Sequence, residues 1–157
     1  MAKNQLNASS PVDNVASAFA LENFLPYRLS VVTQTVSGGL SRIYASRFDL
    51  SVPQWRVMAV LGRYEPISAN EVCYRTVMDK VAVSRAVQAM LRRGLVERTV
   101  DNRDRRRSAL RLSKRGRSIH NEIVPMALEY ERRLLESLTA EERATLDSLL
   151  KRLLNVA

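Results

Sequence analysis

The chain has 157 residues, of which 46% are hydrophobic and 26% charged, and its formal net charge is +9. This composition is ordinary for one folded domain and excludes a low-complexity chain. No apolar run approaches the roughly 20 residues that a membrane-spanning helix needs. Cys73 is the only cysteine and Met1 to Asn7 lack the order of a secretory signal, so we expect a cytoplasmic protein without disulfides.

The positive charge is concentrated in one quarter of the chain. Residues 80–117 contain thirteen basic and three acidic side chains, whereas the rest of the chain contains twelve basic and thirteen acidic ones. A solvated protein face usually mixes both signs. A local basic excess is typical instead of a surface that binds phosphate groups.

The first elements in chain order are an arm and a long helix. Residues 1–20 are polar and small, and we expect a flexible N-terminal arm. From Leu21, apolar residues recur at spacings of three and four, which predicts a helix over residues 21–50. Gly38 and Gly39 lie inside it. They either allow close approach of another helix or a ligand, or are a tolerated weak spot.

Three later helix starts carry a hydroxyl residue followed three positions on by Gln or Glu, which is the pattern of a capping box. They begin at Ser51, Ser68 and Thr139. Asp79 is a further N-cap, for a helix predicted over residues 80–93. The two helices that begin after Ser68 and Asp79 form the pattern of a helix-turn-helix, whose second helix enters the major groove of DNA.

After Gly94 the hydrophobic period changes from that of a helix to that of a strand. Residues 95–100 and 107–112 predict a hairpin, and a polar tip lies between them. Ser113 caps a long helix that Pro125 should kink, and a last helix carries a leucine stripe. The predicted fold class is therefore mainly α with a small β-hairpin, a winged helix-turn-helix with N- and C-terminal dimerisation helices.

Within the second helix of the motif, the apolar period predicts an inner and an outer face. Val83, Val87, Met90 and Leu91 are expected to pack inward. The residues predicted to contact DNA are Lys80, Ala82, Ser84, Arg85 and Gln88. Of these, Arg85 suits guanine and Gln88 suits adenine, whereas Lys80 and Ser84 suit phosphates or the positioning of the helix.

The hairpin tip is the second predicted DNA contact. Its arginines are Arg103, Arg105, Arg106 and Arg107. An arginine on a narrow hairpin fits the minor groove where A·T-rich steps narrow it. Asp101 and Asp104 are interpreted as partners that orient these arginines. We expect Asp104 to orient Arg106 and either Arg105 or Arg103 to reach the groove.

Several of these segments resemble the MarR family of bacterial transcription regulators. The resemblance begins at Pro53-Gln54-Trp55 and includes the stretch from Met78 to Val87 and then Arg93-Gly94-Leu95-Val96. It continues through Asp104-Arg105-Arg106 in the wing to Leu112-Ser113-Lys114-Arg115-Gly116. In all it covers residues 21–157.

The resemblance implies a homodimer that binds a near-palindromic operator in double-stranded DNA, and often releases it when a small molecule binds. Residues 21–157 are then a single MarR-like domain, with dimerisation helices at 21–50 and 114–157 and the winged helix-turn-helix at 51–113. The apolar stripes of the terminal helices also favour a symmetric partner.

Members of the family commonly bind anionic aromatic compounds, and a ligand site is predicted on that ground. Its candidate residues are Arg28, Gly38, Gly39, Tyr44, Trp55, Arg56 and His120. Trp55 supplies a ring wall or is simply a core residue. The runs 25–30 and 54–58 also resemble a subgroup that controls catabolism of lignin-type aromatic acids, some of whose members respond to hydroxycinnamoyl-coenzyme A thioesters.

The predicted function is that of a repressor released from its operator by a small aromatic effector, either a free phenolic acid or a coenzyme A thioester. A nonspecific architectural DNA-binding protein is the alternative. No catalytic constellation or glycine-rich phosphate loop is present in the sequence, so we expect no enzyme and no cofactor. His120 has no second His or Cys nearby, so no metal site is expected, and Cys73 is interpreted as a core residue.

Overall fold

The computed structural model describes residues 19–100 and 108–155. A short 3-10 helix precedes six α-helices and two strands in this part of the chain. The elements are α1 (Leu25–Phe48), α2 (Val52–Tyr64), α3 (Ala69–Thr76), α4 (Lys80–Arg92), β1 (Val96–Val100), β2 (Ser108–Leu112), α5 (Lys114–Leu134) and α6 (Ala140–Leu154). The chain divides into two compact units, Met1–Gly39 and Leu40–Ala157.

The described part of the first unit is apolar and exposed. Phe19 and Phe24 meet edge to face, with ring centroids 5.4 Å apart. The exposed large apolar side chains that follow are Leu21, Leu25, Tyr27, Leu29, Val31 and Val32. The apolar stripe predicted from residue 21 onward therefore exists, but within the chain it leaves much of its surface in contact with solvent.

The second unit contains the hydrophobic core. Helix α2 contributes Val57, Met58 and Leu61, whose spacing puts them on one side of the helix. The other core side chains are Tyr44, Leu50, Val72, Val83, Ala86, Val87, Met90, Leu95, Val96, Leu110, Leu112 and Ile123. Cys73 is half-buried and packs against this core, in agreement with its interpretation.

The helix starts follow the predicted N-caps, with one difference. Ser51 and Thr139 form complete capping boxes with Gln54 and Glu142. Ser68 accepts a hydrogen bond from the backbone N–H of Glu71, but the predicted return bond, from the N–H of Ser68 to the Glu71 carboxylate, does not form. The Glu71 carboxylate pairs instead with Arg75 one turn later, at 2.7 Å. An ion pair on the helix surface thus replaces half of that box.

The hairpin forms the antiparallel ladder that the alternation predicts. Val96 pairs with Leu112, and the register continues to Val100 and Ser108. Ile67 adds an antiparallel bridge to Leu110, with backbone nitrogen-to-oxygen distances of 3.2 and 2.8 Å. The predicted fold class, mainly α with a small β-hairpin in a winged helix-turn-helix, is confirmed. The hairpin tip at residues 101–107 lies outside the described residues.

The last two helices differ in what they contribute to the core. Helix α5 contains Pro125 within its span, and the kink expected there stays a prediction. Helix α6 contributes no buried residue. Its exposed large apolar side chains are Leu146, Leu149, Leu150, Leu153 and Leu154. The leucine stripe therefore lies on the surface of the single chain.

Gly116 permits the first turn of α5 to lie directly on the start of the hairpin. A Cβ atom there would overlap the backbone carbonyl oxygen of Leu95. We expect Gly116→Ala to lower the free energy of unfolding by about 1–3 kcal/mol, because backbone on both sides must shift. Urea denaturation followed by circular dichroism measures this change.

The matched control is Gly38→Ala, which makes the same change within a helix. A Cβ at Gly38 would meet no atom of the described residues within 4 Å. Its effect should be neutral or stabilising by up to about 1 kcal/mol, because alanine is the better helix former. Equal denaturation midpoints for Gly116→Ala and the unmodified protein would contradict the close approach.

Candidate nucleic-acid interface

The helix-turn-helix is built by α3 and α4, and local sequence fixes both its ends. Asp79 accepts a 2.8 Å hydrogen bond from the N–H of Ala82 and so begins α4. Gly94 adopts φ 63°, and the N–H of Leu95 then bonds to the carbonyl of Met90 at 2.9 Å. This left-handed glycine ends the helix as predicted.

Helix α4 separates an inner and an outer face sharply. Val83, Val87 and Met90 are at most 1% exposed, and Leu91 is half-buried. Of the predicted DNA contacts, Ala82 is half-buried toward α2, whereas the other four are exposed. The exposed residues of the helix are Lys80, Val81, Ser84, Arg85, Gln88 and Arg92. Val81 was not among the predicted contacts.

The outer face of α4 carries exposed basic side chains. Lys80, Arg85 and Arg92 are exposed and form no ion pair with any described carboxylate. The Nε2 of Gln88 lies 3.5 Å from the hydroxyl of Ser84, a contact within the same helix. Exposed cations along one face of a helix are what binding to a phosphate-lined groove requires.

Arg85 also borders a pocket between α4 and the start of α2. The pocket has a volume of about 340 Å³ and is lined by Ser51, Pro53, Gln54, Ala82, Arg85 and Ala86. The N-terminus of α2 adds the positive end of a helix dipole to this edge. Helix α4 therefore presents Arg85 beside a second electropositive feature.

Other basic residues of the 80–117 segment hold the protein together. The guanidinium of Arg93 donates to the carbonyls of Phe48 and Asp49, at 2.7 and 2.5 Å. Arg115 in α5 donates to the carbonyl of Arg93 at 3.3 Å. Arg93 thus ties the last turn of α4 to the end of α1 and the start of α5. No local pattern predicts these contacts, because the partners lie 22 to 45 positions away.

The base of the wing is held by Glu65. Its carboxylate accepts a hydrogen bond from the N–H of Leu112 and pairs with Arg117 of α5. Arg117 also donates to the carbonyl of Gly62 at 2.8 Å. Across the hairpin, Arg111 pairs with Glu97 at 2.8 Å. Two further arginines of the basic segment therefore have structural partners.

The predicted wing contacts fall outside the described residues. These are Asp101, Arg103, Asp104, Arg105, Arg106 and Arg107. Their roles stay predictions. The described residues on either side of this segment, Val100 and Ser108, pair with each other in the hairpin.

Four of the predicted ligand-binding residues lie in the second unit, and three of them share one aromatic cluster. The ring of Trp55 is 5.7 Å from that of Tyr44 and is stacked at 6.3 Å on His120. Trp55 is half-buried. It packs against the core, and part of its side chain remains accessible to solvent. Burial raises the pKa of the Tyr44 phenol, and the charge of nearby Arg56 acts in the opposite direction.

The remaining predicted ligand residues, Arg28, Gly38 and Gly39, belong to the first unit. Within the second unit the position of His120 depends on Gly62, because a Cβ there would overlap the imidazole ring. The sequence did not identify Gly62. No group of three His, Cys, Asp or Glu side chains in the described residues is arranged to hold a metal ion. No described helix is long and apolar enough to cross a membrane.

A helix-turn-helix followed by a two-stranded wing defines the class of winged-helix DNA-binding proteins. The MarR family model matches residues 48–107. The homoprotocatechuate degradative operon repressor of Escherichia coli is 26% identical over 110 residues, which cover 70% of this chain and 74% of that protein. The transcriptional repressor NicR of Pseudomonas putida is 25% identical over 165 residues, covering 99% and 96%.

A solved structure of a transcriptional regulator is also similar to this chain. The PcaV transcriptional regulator of Streptomyces coelicolor, crystallised with its natural ligand, matches with a TM-score of 0.76 and 25% identity over 88% of this chain and 96% of that one. Over residues 48–107 the chain is therefore similar to the MarR family of transcription regulators. The relatives are named as regulators and repressors and not as enzymes, as the sequence predicted.

Proposed function

We propose that the protein is a homodimeric, operator-specific repressor that releases DNA when an aromatic ligand binds. The observation that carries the proposal is the outer face of α4. There Lys80 and Arg85 are exposed without carboxylate partners among the described residues, next to Ser84 and Gln88, which suit base edges or phosphates. A helix of this kind delivers both affinity and sequence discrimination.

Apolar surface on both units supports the homodimer. The leucines of α6 and the apolar residues of 19–32 are exposed in the single chain, although they are arranged in stripes. Hydrophobic side chains repeated along one face need a covering surface. A second copy related by a two-fold axis would supply it and would set two α4 helices on half-sites roughly 34–36 Å apart. This geometry predicts a near-palindromic operator.

The aromatic cluster supports the effector. Trp55 offers a half-buried ring face between Tyr44 and His120, and Arg56 places a cation close by. This is the chemistry that binds an anionic aromatic compound. The name of the Escherichia coli relative refers to homoprotocatechuate, an aromatic acid. The finer proposal is a hydroxycinnamoyl-coenzyme A thioester, and a free phenolic acid is its alternative.

Release follows from a population shift. The dimer samples different spacings of its two α4 helices, and operator DNA selects one of them. An effector that favours another spacing weakens DNA binding by the same factor by which DNA weakens effector binding. A coupling free energy of about 1–3 kcal/mol corresponds to roughly 5- to 150-fold weaker binding of DNA.

Binding of the protein to labelled DNA from immediately upstream of the gene is measured by fluorescence anisotropy. Sedimentation establishes whether the protein is a dimer. The complex is titrated with hydroxycinnamic acids and, separately, with their coenzyme A thioesters. Release by thioesters alone supports the finer proposal, and release by the acids replaces it with the free-acid alternative. Tight binding that neither series weakens removes both effectors. Binding no tighter than to random DNA favours the architectural alternative.

Gly62→Ala tests the aromatic cluster without a large cost in stability. The added methyl group displaces the His120 ring, which is a movable side chain, while alanine improves the helix by up to about 1 kcal/mol. We expect altered fluorescence of Trp55, the only tryptophan, and at least about tenfold weaker effector binding with DNA affinity retained. Unchanged release by the effector would place the ligand elsewhere.

A further inference from the structure

Val81 breaks the pattern of helix α4. It is 58% exposed, whereas Val83 and Val87 are 1% exposed and Met90 is fully buried. Single exposed apolar residues are common on protein surfaces and need no explanation by themselves. What distinguishes Val81 is its position, because it lies in the first turn of the helix that would enter the major groove.

The neighbours of Val81 on the helix surface are the residues suited to read DNA. Ser84, Arg85 and Gln88 follow it by three, four and seven positions, so all four share the outer face. Asp79, which caps the helix two residues earlier, bonds to the N–H of Ala82 and fixes the backbone of this turn. Val81 is thus held rigidly among polar side chains.

The chemistry of valine limits what it can recognise there. Its side chain has no hydrogen-bond donor or acceptor, and the C5 methyl group of a pyrimidine is the apolar feature on the floor of the major groove. Valine is also stiff at χ1, so little rotamer freedom is lost on contact. An apolar, preorganised group in this place matches a methyl group and no polar base edge.

We propose that Val81 is a specificity-determining residue that reads the C5 methyl group of thymine in each operator half-site. The inference rests on the proposed operator-specific function and names one of its base contacts. The same methyl group is present in 5-methylcytosine, so the two sources share one chemistry and the experiment separates them.

The full-length protein is first used to select binding sites from random-sequence DNA. Each thymine of the selected half-site is then replaced by deoxyuracil, which removes only the methyl group. We expect one position at which this replacement weakens binding by about fourfold per half-site, the factor for burying one methyl group. At that position a methylated cytosine should bind better than cytosine if the methyl group alone is read, and no better if the thymine hydrogen-bond edge is also required.

Variants assign the effect to Val81. In Val81→Ser the same deoxyuracil replacement should have no effect, whereas Val77→Ser, at the 92% exposed valine of the preceding turn, should keep the fourfold loss. Circular dichroism confirms that both variants are folded. If no sequence is enriched, the proposed function itself fails. If a sequence is enriched but every deoxyuracil is tolerated, or the loss persists in Val81→Ser, the inference about Val81 is overturned and the function stands.

Discussion

Leu149→Glu is expected to convert the protein to monomers and to weaken operator binding by about 10²–10⁴-fold. Leu149 is 47% exposed in the single chain, so the substitution leaves the core of the protomer intact. In a dimer the same position would place a charge in an apolar contact, which is costly without a partner. Loss of the second half-site then removes the gain that two linked binding modules provide.

Ser148→Glu is the matched control for this variant. It adds the same charge at the neighbouring position of α6, which is exposed and lies on the opposite side of the helix from the leucine stripe. It should sediment as a dimer and bind DNA normally. A Leu149→Glu protein that remains dimeric with full affinity would show that the leucine stripe is not the interface.

Arg85→Ala is expected to cost about 1–3 kcal/mol on the operator, roughly 5- to 150-fold, and to relax the preference for one base pair. Its guanidinium is exposed and has no carboxylate partner among the described residues, so removing it disturbs no internal contact. Competition between operator DNA and variants mutated at each guanine measures the change.

Lys80→Ala provides the contrast. Lys80 begins the same helix and is also exposed, but a lysine is better suited to a phosphate. Its removal should weaken binding to all DNA sequences to a similar degree. It should also make the slope of log affinity against log salt concentration shallower by about one. If Arg85→Ala loses equal affinity for operator and random DNA, Arg85 also contacts only phosphate.

The sequence was sufficient for the fold because local rules determine most of it. The caps at Ser51, Asp79, Ser113 and Thr139 form as expected, and the change of hydrophobic period after Gly94 marks the hairpin. Such signals depend on residues within a few positions of each other. The incomplete box at Ser68 shows the limit of the rule, because Glu71 had a competing partner in Arg75.

Predictions about the site depended on which side chains meet across the fold. The basic segment was recognised from its charge, but nothing in the sequence predicted the distant partners of Arg93 and Arg117. Val81 was named on neither face, although the helical period of Val83 and Val87 places it on the outer one. The contacts made by Glu65 lie 47 to 52 positions away and leave no local pattern.

The hydrogen bonds of Arg93 anchor helix α4 at its C-terminal end. Its last turn is attached to the carbonyls of Phe48 and Asp49, while Val81, proposed above to read a base, lies in the first turn of this 13-residue helix. A helix of that length spans roughly 18 Å. A tilt of only about 10° about the anchored end would carry the first turn about 3 Å, close to the roughly 3.4 Å between successive nucleotides of one strand. A small rotation at the anchor would thus displace Val81 by about one base position, whereas Arg85 and Gln88, which lie nearer the anchor, would move less.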